Sequence, residues 1–491
     1  MSEPSATPVP PGDLTLEELL SCSVTVLGLG VAGFGAAAGL LGCPGFRGSV
    51  TVVDEGAAPP QQQRADILRE LGATVLLEHT GPLPGGTDVL MASLGVALSH
   101  PLLAQAERSG TPVWSELELA WRLRPATASA KAPWLVVSGT NGKTTATLML
   151  HSMLTAAGLR SIAVGNIGTS IVDAIVDPEG FDVFAVEVSA QQMPHTHTMS
   201  PLASVVLNFA PDHLDYFDDI EHYRRCKGQV YRNTQVAAFW NAADPSTRVM
   251  LEQADVVEGC WGYGITLGSP GPSMLGLVEE VLVDRAFLDD SGGAQELGTL
   301  DDVRPLAPHN VFNALAAAGL ARAAGVPPSA VTQGLRAFTP AGHRIATVAE
   351  HRGVRWVDDS KATNAHAAAA SLGSFECIVW VAGGLAKGQD FGDLVARHTA
   401  HVRAAVVFGA DRGSLLSALA AQAPHLPVVE VAGTDAAEVM AQVVHEAGAL
   451  AQAGDTVLLA PACASWDMFD GYARRGDGFA EAVKQWLEAH P

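Results

Sequence analysis

Short runs rich in β-branched residues recur along the whole chain, and helix-compatible stretches separate them. In the first part of the sequence these runs are SVTVLGLG at 23–30, SVTVVDE at 49–55, ATVLL at 73–77 and DVLMAS at 88–93. Strands that alternate with helices are typical of βαβ units and a parallel sheet. The pattern therefore predicts a first α/β domain, which we place at residues 16–125, after a loose Pro- and Ser-rich tail at 1–15.

The same alternation resumes after LRPATASAKAP at 123–133, a segment that we interpret as a linker. The second series comprises WLVVSGTNGKTT at 134–145, SIAVGNIG at 161–168, FDVFAVEVSA at 181–190 and ASVVLNFAPDHLD at 203–215. The Gly-, Ser- and Asp-rich stretch at about 268–300 is interpreted as an irregular surface excursion. The Ala- and Leu-rich segment from 310 to about 324 predicts a buried helix, and a Pro-Ala-Gly turn at 340–342 closes a second domain at 126–342.

A third series completes the chain and predicts a domain at 343–491. Its apolar runs are VRWVDDS at 354–360, CIVWVAGG at 377–384, AAVVFGA at 404–410, PVVEVAG at 427–433 and DTVLLAPA at 455–462. The predicted fold class is α/β, with three consecutive α/β domains. Ligands of such sheets bind beyond the carboxyl ends of the strands, and the chemically unusual stretches of this sequence follow predicted strands.

Composition excludes several classes of protein. Apolar residues make up 48% of the 491 residues, enough for several cores, so wholesale disorder is excluded. A net charge of −23 disfavours nucleic acid and anionic membranes as partners. The amino terminus does not resemble a signal peptide, and no apolar run of about 18 residues occurs, so we expect a cytoplasmic protein that does not span a membrane. The six cysteines form no CxxC pair and are expected to be free, buried thiols.

The strongest local motif is GTNGKTT at 139–145, which follows an apolar strand and opens a helix. Glycines let successive N–H groups face a phosphate, and the helix amino terminus adds positive potential. Lys143 would reach the terminal phosphates and the Thr144 hydroxyl would bind Mg²⁺. Val137 stands where the strict P-loop pattern has glycine, so a plain Gly-rich turn is the alternative. The motif nevertheless predicts ATP binding.

A second glycine motif, GLGVAG at 28–33, follows the first strand, and Asp54 ends the next one. This spacing matches a dinucleotide-binding fingerprint. By itself it is compatible with a nicotinamide dinucleotide, with another nucleotide diphosphate, or with a purely structural strand–helix turn.

Further ionisable residues follow strands of the second domain. Glu187 and His213 are candidates for serving Mg²⁺, although Mg²⁺ prefers oxygen ligands; the alternatives are a solvated glutamate and a hydrogen-bonded histidine. His195 and His197 are assigned to an exposed loop. Lys227 lies in a predicted helix, where a salt-bridged or solvated lysine is the usual interpretation.

Three polar segments follow strands of the third domain: DDSKATN at 358–364, GGLAKGQDF at 383–391 and APACASWDMFDGY at 460–472. Their two lysines and several hydroxyl groups predict a small cationic pocket suited to a substrate with carboxylates. Ordinary surface lysines are the alternative. Cys463, flanked by alanines, is expected to be packed.

Taken in order, these motifs identify the chain as resembling the Mur ligases of peptidoglycan synthesis over roughly residues 22–485. The motifs that carry the resemblance are GTNGKTT, VGNIG, APDHLD, HNVFNALAA, GHR, DDSKATN, GGLAKGQDF and APACASWDMF. DDSKATN and LAPACASWDMF are most similar to the D-glutamate-adding members. The Asp-Asn-Pro-Arg motif expected of the diaminopimelate- or lysine-adding members does not occur in the sequence.

The resemblance implies a Rossmann-like first domain for the uridine diphosphate substrate, a P-loop ATPase-like second domain and a Rossmann-like third domain for D-glutamate. The implied substrate-binding residues of the first two domains are Gly30, Val31, Ala32, Gly33, Asp54, Ser93, Gly95, Asn166 and His213. The implied ATP-binding residues are Gly139, Thr140, Asn141, Gly142, Lys143, Thr144, Thr145, Asn310, Asn313, Arg344 and Asp359. The implied D-glutamate residues are Lys361, Thr363, Lys387, Ser465 and Tyr472.

The resemblance also implies the cofactors. Two Mg²⁺ ions would be held by Thr144, Glu187, His213 and Lys227, with Lys227 carbamylated by CO₂, and Lys143, His213 and Lys227 would be the catalytic residues. The implied reaction joins D-glutamate to UDP-N-acetylmuramoyl-L-alanine at the expense of ATP, in a monomer with small-molecule partners alone. The rivals are a superfamily ligase with another acceptor, a non-catalytic P-loop switch and a dinucleotide oxidoreductase.

Overall fold

The computed structural model describes residues 14–213, 216–288, 293–340 and 342–490. The chain forms two compact units: one holds the residues up to Val303 together with Asn310–Phe338, and the other holds Arg304–His309 and the residues from Thr339 onward. Within the described residues the strands form two sheets in the first unit and one sheet in the second. The predicted α/β class is confirmed. The tail at 1–15 and the turn at 340–342 fall largely or partly outside the described residues.

The first sheet is parallel throughout, in the order β3-β2-β1-β4-β5. Its strands are β1 (Ser23–Leu27), β2 (Ser49–Val53), β3 (Thr74–Leu76), β4 (Val89–Ala92) and β5 (Val113–Trp114). The helices of this part are α1 (Leu16–Leu19), α2 (Val31–Gly42), α3 (Pro59–Glu70), α4 (Pro101–Ser109) and α5 (Glu116–Leu123). The strand order changes direction between β1 and β4, which places a crevice after these two strands.

The second sheet has the order β14-β13-β12-β11-β10-β9-β6-β8-β7. Its strands are β6 (Trp134–Ser138), β7 (Ser161–Gly165), β8 (Val183–Glu187), β9 (Ala203–Val206), β10 (Ala237–Asn241), β11 (Trp261–Ile265), β12 (Met274–Val278), β13 (Val281–Asp284) and β14 (Gln295–Thr299). Its helices are α6 (Lys143–Ala156), α7 (Ile171–Ile175), α8 (Ile220–Gly228), α9 (Pro245–Glu252), α10 (Pro308–Ala323) and α11 (Pro328–Ala337). The helix predicted at 310–324 is confirmed as the buried α10.

The interpretation of residues 268–300 as an irregular excursion was wrong. β12, β13 and β14 extend the second sheet, with antiparallel pairing of β12 to β13 and of β13 to β14. Leu275, Leu282 and Leu297 are fully buried. Each strand has only four or five residues, and the Gly- and Ser-rich turns between them dominate the local composition. Residues 289–292 of this stretch lie outside the described residues.

The third sheet has the order β15-β16-β20-β17-β18-β19, in which only β15 pairs antiparallel among the described strands. Its strands are β15 (Ala346–His351), β16 (Val354–Asp358), β17 (Ile378–Gly383), β18 (Val402–Phe408), β19 (Val428–Glu430) and β20 (Thr456–Leu459). The helices are α12 (Ala365–Leu372), α13 (Gly392–His398), α14 (Arg412–Gln422), α15 (Ala436–Leu450) and α16 (Tyr472–Ala489). The reversal of strand order at β20 places the ends of β16, β17 and β20 side by side.

The central strands are apolar on both faces because helices cover both sides of each sheet. β6, β8, β17 and β20 are buried at every position. The segment predicted as a linker is short and partly packed: Ser129 is 1% exposed and Ala132 is 6% exposed. Among the described residues, no helix combines the length and apolar character needed to cross a bilayer.

Candidate active site

The GTNGKTT segment forms the turn from β6 into α6, where the sequence predicts it. Gly139 and Gly142 adopt positive φ angles of 151° and 82°, which favour glycine. A Cβ on Gly142 would lie 2.5 Å from Asn313 Oδ1, so the glycine also makes room for α10. Gly142 precedes the helix without a side-chain cap, and a helix amino terminus of this kind presents N–H groups to an anion.

Lys143 lies on the first turn of α6 and folds back over this loop. Its Nζ donates to Gly139 O at 2.8 Å and to Thr140 O at 2.9 Å. The ammonium group therefore lies against the backbone carbonyl groups of the turn and brings a positive charge to this loop.

Asn208 and Tyr223 fix the loop, and the sequence analysis did not single them out. Asn208 Oδ1 accepts from Asn141 N at 2.9 Å while its Nδ2 donates to Asn141 O at 3.1 Å. The Tyr223 hydroxyl lies 3.1 Å from Thr140 Oγ1. The position of Asn208, two residues after the end of β9, the neighbour of β6, is a signal that could have identified it.

Glu187 ends β8 and is 2% exposed, so the solvated interpretation was wrong. Its Oε1 accepts from Asn166 Nδ2 at 3.1 Å, which brings two predicted site residues together. Its Oε2 is buried and has no hydrogen-bond partner in the described structure. A buried carboxylate oxygen without a partner is costly unless a cation binds there.

Lys227 lies on α8 and is 1% exposed, so the solvated interpretation was wrong here too. Its Nζ lies 4.7 Å from the centre of the Tyr223 ring. Burial, followed by the positive charge of Lys143, holds the pKa of Lys227 well below its ordinary value, and Asp212 opposes this shift. The unprotonated fraction of this amine is therefore larger than that of a solvated lysine.

His213 is adjacent to this group. Its ring centre lies 6.2 Å from that of Tyr223, and its Nε2 lies 3.8 Å from Asp212 Oδ2. The backbone of His213 has a φ of 53°, a conformation that the surrounding structure must hold in place. Leu214 and Asp215, which complete the APDHLD motif, lie outside the described residues.

The assignment of His195 and His197 to an exposed loop was wrong. Burial lowers the pKa of His195 to about 4, with a smaller contribution from His197. His197 Nε2 lies 3.2 Å from Val113 O, and its backbone N donates to Glu118 Oε2 at 2.8 Å. Both histidines therefore belong to the packing against β5 and α5.

The residues at the ends of β6 and β8 fit Mg²⁺. Among the described residues no cluster of three or more His, Cys, Asp or Glu side chains forms a metal site. Glu187 supplies an oxygen without a partner, Oε2, and Thr144, in the first turn of α6, carries a hydroxyl group; oxygen is the ligand type that Mg²⁺ prefers. The amine of Lys227 is buried and its pKa is lowered, and reaction with CO₂ requires an unprotonated amine.

The glycine motif of the first sheet forms a tight turn between β1 and α2. A Cβ on Gly33 would lie 1.9 Å from Gly28 O and 2.5 Å from Ser93 Oγ. Ser93 Oγ donates to Gly28 O at 2.9 Å. Gly30 precedes α2 without a side-chain cap, so the residues Gly30, Val31, Ala32 and Gly33 form a second uncapped helix amino terminus. Gly95, with a φ of 99°, follows Ser93 closely.

Asp54 holds this turn through its carboxylate. Oδ2 accepts from Leu29 N at 2.5 Å and Oδ1 accepts from Gly56 N at 2.7 Å. Arg64 Nη1 donates to Leu29 O at 3.1 Å from the other side. The structure thus brings Gly30–Gly33, Asp54 and Ser93 together at one sheet edge.

In the second unit, predicted D-glutamate residues lie on the loops after β16, β17 and β20 and at the start of α16. Lys361 Nζ lies 4.0 Å from the centre of the Tyr472 ring. Ser465 is 2% exposed, and Lys387 adopts a φ of 51°. The loops after β17 and β20 are joined by paired backbone hydrogen bonds between Leu385 and Ala464. Thr363 is on the same loop as Lys361.

Asp358 and Asp359 anchor the first of these loops. Asp358 Oδ2 lies 2.6 Å from His343 Nδ1. Asp359 accepts hydrogen bonds from the Ser371 hydroxyl and from Ile345 N. Burial raises the pKa of Asp359 to about 6, although the hydrogen bond from Ser371 and the charge of Arg344 oppose the shift. Arg344 and Asp359, both predicted nucleotide residues, lie in the second unit, whereas the P-loop, Asn310 and Asn313 lie in the first.

The six cysteines are free, as expected. Cys463 is packed, with 1% exposure, and burial raises the pKa of its thiol to about 12. Cys377 is exposed and Cys260 is half-buried, so the expectation that every thiol is buried was wrong for these two.

The chain matches two family models, the Mur ligase middle domain at residues 137–321 and the Mur ligase glutamate ligase domain at residues 343–463. It is 52% identical to the UDP-N-acetylmuramoylalanine–D-glutamate ligase of Streptomyces avermitilis over 94% of this chain and 98% of that protein. It is 49% identical to the enzyme of the same name from Thermobifida fusca over 95% of this chain and 99% of that protein.

Among solved structures, MurF from Acinetobacter baumannii is similar with a TM-score of 0.58 and 16% identity, over 94% of this chain and 93% of that one. The likeness to this structure supports the fold alone. The curated relatives are about 50% identical over almost their whole length, which is enough to assign the family. The chain therefore belongs to the Mur ligase family.

Proposed function

We propose that this chain catalyses the ATP-dependent ligation of D-glutamate to UDP-N-acetylmuramoyl-L-alanine in peptidoglycan synthesis, as a cytoplasmic monomer. The relatives that match almost end to end carry the name of this activity. The structural observation that carries the proposal is the P-loop turn with the unpartnered, buried Oε2 of Glu187 on the adjacent strand. That arrangement suits a nucleoside triphosphate with its cation, as phosphoryl transfer requires.

A carboxylate does not react with an amine unaided, because oxide is a very poor leaving group. In the proposed reaction the alanine carboxylate takes the γ-phosphoryl group of ATP, which gives an acyl phosphate and ADP. The amine of D-glutamate then attacks the acyl carbon, an amide bond forms, and inorganic phosphate leaves with its bonding electrons while the amine loses a proton. The products are UDP-N-acetylmuramoyl-L-alanyl-D-glutamate, ADP and phosphate.

The residues of the first unit would hold the nucleotide. The N–H groups at the start of α6 and the ammonium group of Lys143 would bind the phosphates and stabilise charge during transfer. Thr144 and Glu187 would hold one Mg²⁺, and His213 together with a carbamylated Lys227 would hold a second. Magnesium, when bound, neutralises phosphate charge. Asn166, hydrogen-bonded to Glu187, would position the acyl substrate beside this group.

The remaining substrates would bind at the other strand ends. The uncapped amino terminus of α2 suits the diphosphate of the uridine substrate. Lys361 and Lys387 would pair with the two carboxylates of D-glutamate, with Ser465 and Thr363 as hydrogen-bond donors.

The test is ADP and phosphate formation by purified enzyme with Mg-ATP and UDP-N-acetylmuramoyl-L-alanine, with and without D-glutamate. L-Alanine and meso-diaminopimelate serve as alternative acceptors, and Lys143→Ala is the inactive control. We expect turnover that requires D-glutamate. Turnover with another acceptor in its place, or nucleotide hydrolysis that is independent of the acceptor, would overturn the proposal.

A further inference from the structure

Arg475, in the first turn of α16, is one of the largest fully buried side chains of the protein. Its guanidinium group donates four hydrogen bonds. Nε donates to Ser360 Oγ at 2.9 Å, Nη2 donates to Ser360 O at 2.8 Å, and Nη1 donates to Cys463 O at 3.0 Å and to Gly383 O at 3.4 Å. These acceptors lie at the ends of β16, β20 and β17.

The three segments that Arg475 joins are the ones that carry the proposed D-glutamate residues. Lys361 and Thr363 follow Ser360, Lys387 follows Gly383, and Ser465 follows Cys463. The fourth segment is joined indirectly, since the Ser360 hydroxyl donates to Tyr472 O at 2.8 Å. One guanidinium group thus connects every segment of the proposed amino-acid pocket.

The arrangement depends on the shape of the guanidinium group. Its donors point in several directions within one plane, whereas a lysine has one nitrogen at a single point. Burial lowers the pKa of Arg475 to about 10, so the side chain remains charged at neutral pH. All four acceptors are uncharged oxygens, and the carboxylates of Asp467 and Asp358 interact with the guanidinium group electrostatically.

An apolar side chain would avoid the desolvation cost of a buried charge, but it would remove a donor from the oxygens of Ser360, Gly383 and Cys463. The neighbouring glycines show how closely the segments converge. A Cβ on Gly384 would lie 3.2 Å from Arg475 Nη1 and 2.2 Å from Ala464 O. Packing alone therefore does not explain why this position carries a guanidinium group, with its positive charge and its several donors.

We propose that Arg475 is a positioning residue for the amino-acid substrate. It sets the relative placement of the Lys361, Lys387, Ser465 and Tyr472 segments, which form the proposed pocket. The assignment rests on the proposed function, because it concerns the site assigned there to D-glutamate.

The experiment compares full-length Arg475→Lys and Arg475→Met with the wild type and with Arg474→Met. Arg474 is the exposed neighbour on the same helix turn and serves as the matched control. KM for D-glutamate, KM for ATP, KM for the uridine diphosphate substrate and kcat are measured for each protein. We expect the KM for D-glutamate to rise about tenfold or more in Arg475→Lys and further in Arg475→Met, because misplaced binding groups lose several-fold in affinity for each contact. The other KM values and the control should change less than about twofold.

Chemical rescue separates positioning from folding. Arg475→Ala leaves a cavity, and added methylguanidinium should restore part of the D-glutamate affinity, whereas methylammonium should not. An unchanged KM for D-glutamate in a folded Arg475→Met enzyme would overturn the assignment. The assignment would also be overturned if kcat fell and every KM rose together, the unfolding midpoint was lowered, and methylguanidinium restored nothing. A wild-type enzyme without D-glutamate-dependent turnover would instead overturn the proposed function.

Discussion

Burial has opposite consequences for the two ionisable residues beside the P-loop. One carboxylate oxygen of Glu187 accepts a hydrogen bond from Asn166, and the other has no partner in the described structure. A bound cation would therefore stabilise the ionised side chain. Desolvation, followed by the positive charge of Lys143, lowers the pKa of Lys227. A lysine amine reacts with CO₂ only when it is unprotonated, and the product is a carboxylate-like anion. The lowered pKa of Lys227 is thus compatible with the carbamylation proposed for it.

The first prediction concerns Lys227→Ala. Removal of the amine should reduce kcat by at least about a thousandfold, because charge stabilisation at the transferring phosphoryl group is worth several kcal/mol. Added formate or acetate should restore a measurable part of the ADP formation by supplying the missing carboxylate. Lys131→Ala, at an exposed lysine of the same unit, is the control and should retain wild-type activity. Full activity of Lys227→Ala without added acid would refute the carbamate.

At the scale of elements, the motifs that lie within one strand, one turn and one helix could be predicted from the sequence. The turn at GTNGKTT and the turn at GLGVAG need glycines at fixed places, and local chemistry suffices to recognise them. The antiparallel strands β12 to β14 could not be predicted in this way, because their pairing involves residues that are distant in the sequence. For the same reason, the burial of His195 and Lys227 and the four contacts of Arg475 became visible only in the folded chain.

The second prediction concerns the packing of α2 against α7. A Cβ on Gly39 would lie 2.7 Å from both Asp173 N and Val172 C, which are backbone atoms that cannot move aside cheaply. Gly39→Ala should therefore lower the free energy of unfolding by roughly 1–3 kcal/mol. Gly42→Ala in the same helix meets no atom within 4 Å and should be neutral or stabilising by up to about 1 kcal/mol. Urea titrations of both variants test this contrast, and equal effects would contradict it.

The third prediction concerns Glu116, whose carboxylate binds the amino terminus of α7. Its Oε1 accepts from Ser170 Oγ at 2.5 Å and from Ile171 N at 3.1 Å. Burial, opposed by these hydrogen bonds, raises its pKa from 4.5 to about 7. The folded protein therefore holds a proton that the unfolded chain has released, and this contribution to stability is fully present below about pH 4.5 and is lost as the pH rises to about 7.

Glu116→Gln keeps an acceptor oxygen and does not titrate, so it isolates this contribution. Between pH 4.5 and pH 7 the wild type should lose on the order of 3 kcal/mol of unfolding free energy relative to the variant. Unfolding measured across this range for both proteins tests the difference. Parallel pH profiles for the two proteins would show that Glu116 titrates normally.

At the scale of the whole molecule, the proposed sites carry positive charges although the chain as a whole is acidic. The chain carries a net charge of −23, yet the proposed sites for anionic substrates combine Lys143, Lys361, Lys387 and Arg475 with uncapped helix ends. Local positive potential at the strand ends offsets the repulsion that such an acidic surface imposes on anions. The sequence could predict the three lysines only as members of motifs and did not single out Arg475, since the grouping of these cations depends on the strand order of each sheet.

The fourth prediction follows from the two compact units. A chain that folds as two units need not unfold in a single two-state step, and calorimetry of the ligand-free protein should resolve two transitions.

Mg-ADP should raise the midpoint temperature of the transition that belongs to the unit with the P-loop. At a hundredfold excess of Mg-ADP over its Kd, the added stability of that unit should be about 2.7 kcal/mol. Hydrogen exchange measured by mass spectrometry assigns each transition to its unit. Lys143→Ala should abolish the shift while it leaves the ligand-free transitions in place, because the hydrogen bonds from its Nζ to Gly139 O and Thr140 O lie within the P-loop turn. A single transition in which both units lose protection together would show that the units are energetically one, and an undiminished Mg-ADP shift in Lys143→Ala would remove the P-loop from nucleotide binding.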